Sequence, residues 1–260
     1  MGLLDWLGGR KDEPRLALCF VLLESHDELN DVVERVTARG HRVEDVQVTS
    51  GNVSFRVADQ ECHVSVMPAP MPWSDLEGPC ATAWWWKDAA NACRRHQVHV
   101  VVSVTSSRGD RFGQRLLLTD VAAAVVDREK GIGVYWGEAP LVQPRGEFLD
   151  QAREASREYL PLHLWVDFRI EPRGEQQFLF ATSGMRALGH MELEAVHRVE
   201  SAEEIAEVVD KMFNVAHYLC DHGPVLEHGH TIGMTADEKI RIEHRASEWT
   251  RPEKVIRLFI

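Results

Sequence analysis

The sequence has no Cys-x-x-Cys pair, and its cysteine count is odd at five: Cys19, Cys62, Cys80, Cys93 and Cys220. That excludes a zinc ribbon and argues against a disulfide framework. Cysteines in apolar contexts such as Leu18-Cys19-Phe20 read as buried free thiols in a reducing, cytoplasmic compartment. No apolar run approaches the roughly 18 residues of a membrane span. A Walker loop is missing, and Gly131-Ile132-Gly133 lacks the third glycine of a dinucleotide fingerprint. There is no His-Glu-x-x-His, and Thr182-Ser183-Gly184 is no nucleophile elbow. Aromatics are not interleaved with lysines, so a base-stacking platform is unsupported. No catalytic residue and no cofactor are therefore predicted. The start, Met1 to Arg10, carries Asp5 inside its apolar part and has no charged lead-in, so it is not read as a signal peptide. It reads as a short amphipathic helix that docks on its own domain or on a partner.

What is present is acidic and ordinary in hydrophobicity. Lys plus Arg is 29 against 41 Asp plus Glu, a net charge of −12. Such a surface repels phosphate backbones and anionic lipid, and it attracts a basic protein partner. The 44% apolar content is enough for a real core. At 260 residues the chain suits one large unit or two smaller ones.

Periodicity gives an α+β reading: two lobes of mixed or antiparallel sheet packed with long helices, residues 1–143 and 144–260, meeting near Pro140 and Pro144. Arg15 to Leu23 is a strand, followed by a helix capped by Ser25 or Asp27 with Leu29, Val32, Val33 and Val36 at helical spacing. Three strands follow, the first two joined by a Ser50-Gly51-Asn52 turn. Cys80 to His96 is predicted as a helix, Val98 to Val104 as a β-branched strand inside its sheet, and Arg111 to Glu129 as a long helix. In the second lobe a helix over 146–159 precedes strands at 162–170, 176–181 and 191–198. Ser201-Ala202-Glu203-Glu204 is a capping box opening a helix to about Asp221, which Gly223-Pro224 stops. Two strands, Lys239 to His244 and Lys254 to Phe259, close the chain. Adjacent strands argue against a doubly wound arrangement.

Three groups of residues are candidates for function. Trp84-Trp85-Trp86, on a helix, would fan over about 200°, too wide for one core, so at least one is expected at a surface or lobe boundary, and burial of all three at the lobe junction is favoured over an exposed interface anchor. With Trp73 they form the candidate partner-binding set, because tryptophan is a favoured interface anchor. His217, Cys220, His222, His228 and His230 crowd into fourteen residues; His217, Cys220, His228 and His230 are weak metal candidates that match no standard motif. Glu192 and Glu194, beside His190, alternate on one strand face, where a solvated outer face is favoured over a proton-sharing pair.

The order of several blocks resembles the bacterial family catalogued as domain of unknown function 4261. They are His99 to Ser103, Gly133 to Trp136, Leu160 to Val166, Thr182-Ser183-Gly184-Met185 through Glu194, and Gly229-His230-Thr231-Ile232-Gly233 with Ser247 downstream. The resemblance implies that Thr182, Gly184, Met185, Gly189, Glu192, Glu194, Gly229, His230, Thr231 and Gly233 are motif positions, over nearly the whole chain. It also leads one to expect an acidic residue before Gly229, where this chain has His228. It implies a cytosolic protein and, for some relatives, immunity to toxins of interbacterial competition. The expectation is a non-enzymatic protein binder facing a basic partner such as a toxin. The alternatives are an enzyme or metal-binding protein using His190, Glu192, Glu194, His228 and His230, and a self-associating scaffold.

Overall fold

Strand β1 (Arg15–Leu23) places every second residue on one face, and Ala17, Cys19, Val21 and Leu23 are all buried there. This arrangement is seen in a computed structural model that describes residues 15–25, 29–107, 109–235, 238–250 and 253–260. The N-terminal helix expected over Met1 to Arg10, and Asp27, lie outside the described residues. The chain divides into two units, at Leu164/Trp165.

In the first unit, β1 is followed by α1 (Val32–Ala38), β2 (Val43–Thr49), β3 (Asn52–Val57) and β4 (Gln60–Met67). Then come α2 (Trp73–Thr82), α3 (Ala89–Arg94), β5 (Val98–Ser106), α4 (Arg111–Val126), β6 (Gly131–Trp136), β7 (Leu141–Pro144) and α5 (Arg145–Glu154). The strands form an antiparallel sheet in the order β2-β3-β4-β5-β1-β6-β7. The β2–β3 hairpin closes through Ser50-Gly51, with Gly51 at φ +76°. Helix α4 lies on β1, β5 and β6 and buries Leu117, Leu118, Val121 and Val125. Its N-terminus is capped by Asp110, whose carboxylate accepts from Gly113 N. A buried ion pair, Arg115 to Glu138 at 2.5 Å, ties α4 to the turn after β6. The opposite face of the sheet presents Phe20, Leu22, Tyr135 and Val142, which α2 and α3 cover.

A one-turn helix, α6 (Leu162–Trp165), spans the division. The second unit continues with β8 (Asp167–Pro172), β9 (Gln177–Ser183), α7 (Met185–Leu188), β10 (Leu193–Arg198), α8 (Ala202–His222), β11 (Thr231–Ile232), β12 (Ile240–Ala246) and β13 (Lys254–Phe259). Its sheet runs β11-β12-β13-β10-β9-β8, with β10 and β13 parallel and the other pairs antiparallel. The serine cap forms at α8: Ser201 Oγ accepts from Glu204 N, while the Glu204 carboxylate reaches back one residue beyond the cap and accepts from Glu200 N at 2.8 Å. Val208, Met212, Val215, Ala216 and Leu219 bury the apolar stripe, and Gly223, at φ +81°, ends the helix. Among the described residues no helix is long and apolar enough to cross a membrane.

Several expectations are corrected. The helix predicted over Cys80 to His96 is two helices, α2 and α3, separated by a turn at Trp84 to Trp86. Helix α1 begins after Asp31, not near Ser25, and the Asp31 carboxylate pairs with Arg35 and Arg128 instead of capping. The strand predicted over 162–170 starts only at Asp167; Leu162, Leu164, Trp165 and Val166 are all buried, and a short apolar run does not distinguish strand from helix. Pro140 and Pro144 suggested a loop, yet β7 forms there at the sheet edge, where a missing N–H is tolerated. The first unit runs on to Leu164, beyond the 143/144 position read from those prolines, because α5 packs on α4, β6 and β7.

Candidate functional site

The tryptophan site is built by the α2–turn–α3 segment. Pro79 removes one backbone donor inside α2, and the helix ends at Thr82. Leaving the helix lets two consecutive indoles turn inward. Trp85 Nε1 donates to Val142 O at 3.1 Å, fastening the turn to β7. Trp86 packs over Gly133 of β6: a Cβ there would stand 3.2 Å from Trp86 Cη2 and 2.3 Å from Gln143 O. Glycine at that position is what makes room for the ring. Trp86 N donates to Ala83 O and Ala89 N to Trp86 O, so the turn runs directly into α3.

Trp84 is left outside. It is 57% exposed and meets Trp85 edge-on at 5.5 Å. Trp73, at the start of α2, is half-buried with the Arg94 guanidinium 3.5 Å above its ring. His96 fixes the base of the segment. Its Nε2 accepts from Met71 N at 2.8 Å, so the proton sits on Nδ1, which faces Cys93 O. Burial pushes this imidazole below its usual range, consistent with a neutral tautomer that serves as a clasp. The structure thus brings Trp73, Trp84, Trp85 and Trp86 into one region, without the helical fan.

The glycine-centred motifs of the second unit are organised around two buried carboxylates. Glu192 and Glu194 are 8% and 1% exposed, which overturns the solvated-face expectation. Glu192 reaches back across the β9–α7 corner. It accepts from Thr182 Oγ1 at 2.7 Å, Gly184 N at 3.1 Å, Met185 N at 3.2 Å and Arg186 N at 3.0 Å. Thr182 Oγ1 in turn accepts from Leu193 N at 2.8 Å. Gly184, at φ +124°, lets the chain turn so that three successive amides converge on one acid. Burial pushes the Glu192 carboxyl up; the donors from Arg186, Thr182, Gly184 and Met185 pull the other way.

Glu194 closes a second knot. It lies beside Arg257 in the parallel β10–β13 register, and the two pair at 2.9 Å. Ser247 Oγ donates to Glu194, and Glu248 N donates to it at 3.1 Å. Ser247 Oγ also accepts from Trp249 N at 3.0 Å and Thr250 N at 2.7 Å. Arg257 bridges on to Glu248 at 2.9 Å. At the second motif, Gly229 N donates to Ile242 O, and His230 O accepts from Ile242 N, tying Gly229-His230 to β12. Thr231 pairs with Arg241 in the β11–β12 register, and a Cβ on Gly233 would stand 2.1 Å from Glu238 O.

The metal candidates are each engaged locally. His217 meets Phe213 edge-on at 4.7 Å, and His222 stacks on Tyr218 at 4.2 Å. Burial lifts the Cys220 thiol to about 12. His228 Nδ1 accepts from His244 N at 3.1 Å, while His230 Nδ1 accepts from Glu227 N at 3.3 Å. Among the described residues, no group of three or more His, Cys, Asp or Glu side chains is placed to hold a metal ion. The sequence reading missed His96, Arg257 and the role of Ser247. In the sequence Ser247 stands only as a downstream motif residue, and nothing local to Arg257 marks it as the partner of Glu194.

The second unit is therefore an α+β unit whose motif residues tie its own backbone together. The sequence of this unit matches the model of a family described as a domain of unknown function (DUF4261) over residues 181–259. The match runs from the end of β9 to the end of β13 and takes in both glycine-centred motifs. The resembling blocks at 99–103, 133–136 and 160–166 lie outside it. No curated protein and no solved structure matches the chain.

Proposed function

We propose that this is a non-enzymatic protein-binding protein of the bacterial cytoplasm, of the immunity type, which neutralises a basic partner such as a toxin by covering its surface. The observation that carries the reading is Trp84, a 57% exposed indole on a turn whose next two residues are anchored inward. A large aromatic held on a fixed base loses little conformational freedom on binding, which is the property of interface hot spots. The net charge of −12 supports a basic partner by steering encounter. The commitment of Glu192 and Glu194 to internal donors favours an architectural role for the family motif over a reaction centre.

The test uses wild-type chain and Trp84→Ala side by side as immobilised baits in lysate of the source organism. A basic protein retained by the first and lost by the second supports the proposal. Equal retention on both baits, or only acidic proteins, refutes it.

A further inference from the structure

The segment leading into α2, Pro68-Ala69-Pro70-Met71-Pro72, has a proline at every second position and so only two backbone N–H groups. It belongs to no strand or helix, and two imidazoles hold it instead. His99 of β5 places Nδ1 2.8 Å from Ala69 O, and His96, just after α3, accepts from Met71 N through Nε2 at 2.8 Å. The two bonds respond oppositely to acid. His99 donates to a carbonyl, and a charged ring keeps that bond. His96 uses a lone pair, and a proton on Nε2 removes it, leaving two N–H groups face to face. Met71 is 7% and His96 4% exposed, so the displaced amide has no water to turn to in the closed arrangement. His99 is the titratable side chain that acts on His96 from β5. On the segment of His96 itself, Arg94 lies 3.5 Å above the Trp73 ring and Arg95 pairs at 3.2 Å with Glu24, just past β1.

We propose that His96 is a proton-operated latch: a proton taken up at Nε2 expels the Met71 amide, frees the 68–72 segment and loosens α2, the helix that ends directly before Trp84. Burial holds the His96 imidazole below the ordinary 6.5, a nearby His99 adds to that lowering, and the Cys93 carbonyl pulls the other way. The latched state therefore binds fewer protons than the released one between the lowered value and 6.5. Latching is complete above 6.5 and weakens as pH falls through that window. Acidification thus withdraws the fixed base of the exposed indole while His99 still tethers Ala69. The effect on binding rests on the reading of Trp84 as an anchor; the latch itself does not, and it is tested without a partner.

Amide hydrogen exchange of the folded full-length chain, followed by mass spectrometry and corrected for the pH dependence of the exchange chemistry, reads the latch. Opening of residues 68–83 is expected to rise by up to about tenfold for the first pH unit below 6.5, with β5 unchanged. In His96→Gln the side-chain oxygen accepts from Met71 N without titrating, so the rise is expected to vanish; His99→Gln is expected to keep it. No rise in the wild type, an equal rise in His96→Gln, or an equal rise in β5 would overturn the proposal. Should His96→Gln fail to fold, nitrogen-15 spectra of the wild-type histidines and amides decide. The Nδ1–H tautomer at neutral pH, with the Met71 amide signal following His96 protonation, supports the latch. The Nε2–H tautomer, or a Met71 amide that ignores the titration, overturns it.

Discussion

Replacing Glu192 by alanine removes the acceptor on which four donors of the first family motif converge. The Gly184 and Met185 amides and the Thr182 hydroxyl are buried, so each loses its partner without gaining water; the Arg186 amide belongs to an exposed residue and recovers a solvent bond. An orphaned buried donor costs about 1–3 kcal/mol, so three give roughly 3–9 kcal/mol. Relief from burying the carboxylate offsets part, leaving a net loss of about 2–4 kcal/mol. For a unit of this size, that corresponds to a fall in melting temperature on the order of ten degrees or more. Urea unfolding followed by circular dichroism and by tryptophan emission, which reports Trp165 and Trp249 in this unit, gives the free energy. A loss below about 0.5 kcal/mol, the scale of an ordinary surface change, would refute the view that Glu192 holds the motif together.

The same carboxylate has a pH signature. Burial raises its folded value above the ordinary 4.5, so the stability it contributes is greatest below that pH and is lost as pH rises through the raised value. Wild type minus Glu192→Gln, measured across an acid-to-neutral series, should fall with rising pH; a difference that grows would contradict the burial argument. At the second knot, Glu194→Gln or Arg257→Met alone should each cost about 3–5 kcal/mol, and Glu194→Leu with Arg257→Met together should cost less than the sum, as chemical denaturation will read. Gly133→Ala should destabilise the first unit by about 2–3 kcal/mol and redden tryptophan emission, because the added carbon meets Gln143 O at 2.3 Å and Trp86 at 3.2 Å.

Much of the fold was legible where local chemistry and burial agree. The serine cap at Ser201 and the Gly223 stop define α8 from sequence alone, and the two-residue turn at Ser50-Gly51 sets the β2–β3 hairpin. The misreadings arise where tertiary contacts override local signals. Alanines around Trp84 to Trp86 favour one helix, but the seats for Trp85 on Val142 O and for Trp86 on Gly133 lie in β7 and β6, far along the chain. Alternation placed Glu192 and Glu194 on a strand, yet periodicity carries no information about donors arriving from Gly184, Ser247 and Arg257. The candidate tryptophans were visible as residues, because three consecutive indoles are rare in any context. Which of them faces solvent was not, since that depends on the break after Thr82.

The most direct measurement is calorimetric titration of the protein captured by the wild-type bait into wild-type chain and into Trp84→Ala. With a hot spot on a fixed base, the account predicts that affinity falls at least about 30-fold, or 2 kcal/mol. It also predicts that urea stability stays within about 0.5 kcal/mol, because the ring is exposed. Affinity unchanged by the substitution would contradict the assignment of Trp84 as the anchor, and with it the proposed binding face.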